Sequence, residues 1–130
     1  YSQFDYSNIR LSSANIANDD IADDDIITVE VDVTNTSKVD GAEVVQLYLH
    51  DVKASVPRPA KELKGFDKLW LKAGETKTAS FTLTQRDLSF WDVNTNNWLA
   101  ESGQFEVMIG ASVADIRLRK RFDYQHKAKP

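Results

Sequence analysis

From Ile27 to Thr34 the chain alternates without a break: Ile27, Val29, Val31 and Val33 are apolar, and Thr28, Glu30, Asp32 and Thr34 are polar. Successive side chains of a strand point to opposite faces, so a period of two predicts a strand with one face in a core and one in water. The pattern returns along the chain. Val45, Leu47 and Leu49 alternate with Val44, Gln46 and Tyr48, and Thr78 to Leu83 alternates apolar and polar. Phe105, Val107 and Ile109 alternate up to Gly110, and Ile116, Leu118 and Phe122 are interleaved with Arg117, Arg119 and Arg121. No segment carries the i, i+3, i+4, i+7 spacing of a helix over three turns. Seven or eight short strands with turn signals between them predict an all-β fold, a two-sheet antiparallel β-sandwich.

The stretch from Pro59 to Phe81 is the expected centre of that organisation. Leu63, Phe66, Leu69 and Leu71 are apolar marks among charged residues, Ala73-Gly74-Glu75 is a turn signal, and Thr76 to Phe81 returns. The reading is a strand, a tight turn and a returning strand, a hairpin. A first strand is expected near Asn8–Ser13, with residues 1–7 leading in. Asn35–Gly41 and Asp51–Pro59 are loops, the latter carrying Pro57 and Pro59, which cannot donate to a ladder. Gln85–Ser89 is a turn over the sandwich end, Phe90–Asp92 and Asn97–Leu99 form a small hairpin, and residues 125–130 are a polar tail. The inward set is Ile27, Val29, Val31, Val33, Val45, Leu47, Leu49, Leu69, Leu71, Phe81, Leu83, Phe105, Val107 and Ile109. Truncating any of these to Ala is expected to cost about 2–5 kcal/mol.

With 130 residues, positions 1–130 are read as a single domain able to bury a core without disulfide or metal staples. There is no cysteine, which excludes disulfides, thiol nucleophiles and Cys-ligated metal sites. The net charge of −4 argues against nucleic acid as a partner. No apolar run approaches the ~20 residues of a membrane-spanning helix, so no membrane partner is expected. Tyr1 is not an initiating methionine, so the chain is expected to be a piece of a longer protein.

No motif marks a reaction centre. A chance pair among 20 acidic residues is more economical than a catalytic carboxylate dyad. The acidic run Asp19, Asp20, Asp23, Asp24, Asp25 lacks the spacing of a calcium loop and reads as a solvated turn. His50 and His126 lack a second ligand at metal spacing and read as surface residues. There is no Gly-x-Ser-x-Gly elbow. Arg117, Arg119, Lys120 and Arg121 read as the wet face of the last strand, where charge also blocks edge pairing. Asn35-Thr36-Ser37 has the form of a glycosylation sequon. No metal and no cofactor are called for.

The order of short motifs carries a resemblance. Gly41-Ala42-Glu43-Val44-Val45-Gln46-Leu47-Tyr48 followed by Pro59-Ala60-Lys61-Glu62-Leu63-Lys64-Gly65-Phe66 is similar to the fibronectin type III-like domain at the C-terminus of family 3 glycoside hydrolases. Leu71, Gly74-Glu75, Phe81, Asp87-Leu88-Ser89, Trp91-Asp92, Trp98, Gly103, Phe105-Glu106-Val107, Gly110 and Ser112 continue in that family's order. The resemblance implies an immunoglobulin/fibronectin type III-like sandwich. It further implies a parent enzyme that is a retaining β-glucosidase or β-xylosidase, secreted or periplasmic, whose nucleophile Asp and acid/base Glu lie in preceding domains. No position here matches either catalytic motif, so the chain is expected to be a non-catalytic accessory domain packing on and stabilising the catalytic domains. The Asp51–Pro59 loop and Lys61, Glu62, Leu63, Phe66 and Trp70 are the candidates for that contact. Trp70, lying between inward Leu69 and Leu71, must point outward, as must Tyr48. The alternative function is a binding module anchoring the enzyme on polysaccharide, with Trp70 and Tyr48 stacking on sugar rings. Trp91 and Trp98 are expected to pack over the sandwich end.

Overall fold

The computed structural model describes residues 3–12, 15–18, 25–52, 58 and 61–126. Ten strands and one helical turn are present among them: β1 (Phe4–Leu11), β2 (Asn15–Asn18), β3 (Asp25–Asn35), β4 (Gly41–Asp51), β5 (Glu62–Leu71), β6 (Thr76–Thr84), α1 (Gln85–Leu88), β7 (Phe90–Asp92), β8 (Asn97–Leu99), β9 (Gly103–Ser112) and β10 (Asp115–His126). A three-stranded sheet runs β1-β3-β6 and a five-stranded sheet runs β2-β10-β9-β4-β5, with β7 and β8 as a separate pair. All pairings are antiparallel except β2 with β10. The fold is the expected two-sheet sandwich, and all fourteen inward positions read from the alternation are buried.

The core also takes residues outside that set. Phe122 and Tyr124 of β10 close on Phe105, with Phe105–Phe122 stacked at 5.6 Å between ring centres and Phe105–Tyr124 edge-on at 6.3 Å. Ala79 is buried from the facing sheet, and Leu88 and Ala100 add to the same cluster. Such offset and edge-on ring pairs add to plain area burial because positive ring edges meet negative faces.

Several boundaries differ from the sequence expectation. The first strand begins at Phe4 and ends at Leu11, earlier than Asn8–Ser13, because Phe4 and Tyr6 already pair with Asn35 and Val33. Gln125 and His126 belong to β10, pairing with Ala17 and Asn18, and do not form a polar tail. Residues 127–130 and Asp19–Asp24 lie outside the described residues. The Gln85–Ser89 turn is one helical turn capped reciprocally: the Asp87 amide donates to Thr84 Oγ1 at 3.2 Å, and the Thr84 amide donates to Asp87 Oδ2 at 2.8 Å.

The largest correction concerns the central stretch. β5, the turn and β6 are all present, but the two strands do not form a hairpin. β5 pairs with β4 and β6 pairs with β3, in opposite sheets. A hairpin would lay Leu69, Leu71, Ala79, Phe81 and Leu83 side by side on one layer. The arch makes them face each other across the core. Asn35 holds this crossing. Its backbone amide donates to Glu75 O (2.9 Å), and its carbonyl accepts from Gly74 N (2.8 Å). Its side-chain amide donates to Val39 O (2.8 Å) and Leu71 O (3.2 Å), and its side-chain oxygen accepts from Ser37 N and Oγ. Gly74 takes φ 79°, a conformation that favours glycine. Asn35 is fully buried, so the sequon reading fails: its amide nitrogen is committed to two carbonyls inside the fold.

Candidate interaction surface

β5 is the edge strand of the larger sheet, and its outer face is set by the same period of two that buries Leu69 and Leu71. Phe66, Lys68 and Trp70 therefore point away from the core, opposite Gln46, Val44 and Ala42 of β4. A bulge at Lys64 shifts the register so that Leu63 stands opposite Tyr48 on this same face. Leu63 is 53% exposed, Phe66 71% and Trp70 60%, with Val44 beside them at 38%. The expected outward Trp70 is found, and it belongs to an apolar strip three residues long on one strand. These exposed side chains are gathered on one face of the sheet rather than scattered over the surface.

Tyr48 does not join that surface as a free ring. It faces outward by register yet is buried, flanked by Leu63 on β5 and by Met108 on β9. Its hydroxyl donates to Gln46 Oε1, and Arg119 Nη1 reaches Met108 Sδ at 3.6 Å. The outer face thus has a small packed row of its own, which withdraws Tyr48 from sugar stacking.

Lys61 and Glu62, the other interface candidates, are engaged internally. Lys61 Nζ donates to Val113 O at 2.9 Å. Glu62 receives both Nε (2.9 Å) and Nη2 (3.2 Å) of Arg58, and Lys64 Nζ stands 3.3 Å away. Arg58 is almost wholly buried and also reaches Asp51 Oδ2 (3.4 Å), Leu88 O (3.2 Å) and Ser89 O (3.4 Å), with its guanidinium 5.7 Å from the Phe90 ring centre. It ties the end of β4, the start of β5 and the α1–β7 junction into one hub. Burial pushes the Glu62 carboxyl up, but the Arg58 and Lys64 cations outweigh it and hold the group below its ordinary value of 4.5. A glycosidic acid needs the opposite shift. Sequence reasoning missed the hub because its partners are up to 31 residues apart.

The remaining candidates are dispersed. Residues 53–57 and 59 of the Asp51–Pro59 loop lie outside the described residues. Trp91 and Trp98 stand on the β7–β8 hairpin, outside the buried core. They meet each other edge-to-face at 5.6 Å, half exposed, with the Arg86 guanidinium 3.5 Å from the Trp98 ring centre. A pair of rings that can bury against each other and a cation does not need the core. His50 is half-buried rather than on the surface, and its Nδ1 is buried. Arg119 and Arg121 share Glu106 at 3.2 and 3.1 Å on the wet face of β10, and Arg117 clasps Asp115 at 2.8 Å and lies 5.2 Å from the Tyr6 ring centre. Among the described residues no group of three or more His, Asp or Glu stands close enough to hold a metal ion. No helix among them is long and apolar enough to cross a membrane.

Comparison with known proteins points one way. Residues 43–113 match the family described as the fibronectin type III-like domain. The chain is 45% identical over 120 residues to thermostable β-glucosidase B of Acetivibrio thermocellus, covering 92% of this chain and 15% of that protein. It is 44% identical over 117 residues to the periplasmic β-glucosidase of Salmonella typhimurium, covering 90% of this chain and 14% of that protein. Among solved structures, the GH3 β-glucosidase of Bifidobacterium adolescentis superposes with a TM-score of 0.84 at 36% identity, covering all of this chain and 18% of that one. The chain therefore spans less than a fifth of the length of these relatives.

Proposed function

Because the chain belongs to the fibronectin type III-like domain family, and to the form of it carried by β-glucosidases, we propose that it is a non-catalytic accessory domain of a family 3 β-glucosidase. In this reading it is the C-terminal domain of a longer retaining enzyme whose nucleophile and acid/base lie elsewhere in the polypeptide, and it packs on the catalytic domains and stabilises them. One observation carries the proposal: the outer face of β5 leaves Leu63, Phe66 and Trp70 in solvent beside Val44. Contact within such a polypeptide would bury on the order of 600–1,500 Å². Each large apolar side chain covered there contributes about 1.5–3 kcal/mol.

The test is to replace Phe66 and Trp70 by Ser in the longer enzyme, and separately to delete the domain. A lowered melting temperature in both supports the proposal. An unchanged melting temperature with unchanged glucosidase activity after deletion rejects it. Anchoring on polysaccharide retains only Trp70 of its two proposed rings, because Tyr48 is buried.

A further inference from the structure

We infer that the β5 face fits an apolar surface edged by carboxylates on the catalytic portion of its own polypeptide, and not a second copy of this chain. The inference rests on the accessory-domain reading and adds the chemistry of the partner.

Residues 61–72 carry four lysines, Lys61, Lys64, Lys68 and Lys72, against two carboxylates, Glu62 and Asp67, in a chain whose net charge is −4. Glu62 is already taken by Arg58 and Lys64. Asp67 shares its side of the strand with buried Leu69 and Leu71, not with the apolar strip. Lys68 stands between Phe66 and Trp70 on the outer face, opposite Val44, and is exposed, as is Lys72. Neither pairs with a carboxylate among the described residues.

An ammonium carried into an apolar contact without a counter-charge loses its hydration with nothing to replace it. A partner that covers Phe66 and Trp70 and closes over Lys68 is best matched when it places an anion against that ammonium. A second copy of the chain does not offer this match. A two-fold contact sets the same patch on itself, lysines against lysines. A neutral glucan offers no anion at all. The relatives carry more than four-fifths of their length outside the matched region, and in this reading that portion supplies the carboxylates.

The experiment compares three forms of the longer enzyme: Phe66→Ser with Trp70→Ser, Lys68→Glu with Lys72→Glu, and the unaltered protein. Each pair of changes is also made in the 130-residue chain, so that any loss of folding within the domain is measured directly and subtracted. The expected result is that both pairs lower the enzyme's melting temperature by several degrees beyond the change in the chain alone. The charge reversal should do so less as added salt shortens the screening length from about 10 Å at 0.1 M towards about 3 Å at 1 M. The chain itself should sediment as a monomer.

If the apolar pair lowers the midpoint and the charge reversal leaves it unchanged or raises it, the carboxylate edge is wrong while docking stands. If neither pair has an effect, the accessory-domain reading falls with it. A concentration-dependent dimer of the chain, abolished by Phe66→Ser, would make a second copy the occupant and overturn the inference. Retention of the chain on insoluble glucan, abolished by Trp70→Ala, would overturn it in favour of a saccharide.

Discussion

Gly110 of β9 lies against Ile116 of β10 so closely that a Cβ on Gly110 would stand 2.9 Å from the Ile116 Cα and closer still to the Asp115 carbonyl oxygen. The two residues are register partners at the irregular start of β10, where the pairing shifts on both sides of Ile116. The obstacle is backbone, which cannot rotate away as a side chain could.

Gly110→Ala is therefore expected to destabilise the domain by about 1–3 kcal/mol or more, through forced separation of β9 and β10. Gly74→Ala tests a different cause, since its methyl would meet nothing within 4 Å and only the φ of 79° is strained. Urea midpoints of the two variants check this, with Gly110→Ala expected to lose more. Equal midpoints would show that the β9–β10 approach is loose.

Arg58 holds two carboxylates, nearly buried Asp51 and partly buried Glu62. Removing the guanidinium strips the shared cation from both carboxylates and its donors from Leu88 O and Ser89 O, so Arg58→Met is expected to cost about 3–5 kcal/mol. The pH dependence follows from the depressed Glu62 carboxyl. Its stabilising contribution is complete above the unfolded value of 4.5 and is lost as pH falls through the lower folded value. In Arg58→Met, burial acts on Glu62 with only Lys64 to oppose it, and protonation relieves the site. The stability gap between the two proteins should narrow below pH about 4.5, as measured by denaturation at stepped pH. A gap that stays constant down to acid unfolding would rule out this account of the hub.

Tyr48 and Phe66 lie on the same outer face and differ in cover. Tyr48→Ala is expected to cost about 3 kcal/mol, because it empties the row between Leu63 and Met108. Phe66→Ser in the 130-residue chain should change stability by about 0.5 kcal/mol or less, as for other exposed positions. Thermal melts of the two variants decide the matter. A large loss for Phe66→Ser would mean that the strip packs within the domain.

All three tryptophans are between 42% and 60% exposed. The folded chain should therefore show red-shifted tryptophan emission, with acrylamide quenching only modestly increased on unfolding. Blue emission from the native chain would mean that Trp91 or Trp98 is covered.

The period of two was enough to place the core, because the inward residues of β3, β4, β6 and β9 each repeat one local choice of face. It was also enough to turn Trp70 outward. It could not say which sheet a strand joins. Ala73-Gly74-Glu75 turns the chain in either case, and the arch is decided by Asn35, which lies across the core in another strand. Tyr48 shows a similar limit: its side of the strand was right, but its burial depends on a one-residue bulge at Lys64 that brings Leu63 opposite it. The Arg58 hub left no trace in local spacing beyond Glu62 four residues away, since its other partners come from β4 and the α1–β7 junction. Asn35 had the form of a modification signal, and only its burial reveals a structural role.

β2 and β10 run in the same direction, one near the start of the chain and the other near its finish. Tension between the start of β2 and the end of β10 would slide these strands lengthwise past each other, so their ladder bonds must yield together rather than one at a time as in a peeling hairpin. A module stitched in this way resists being drawn out along its length.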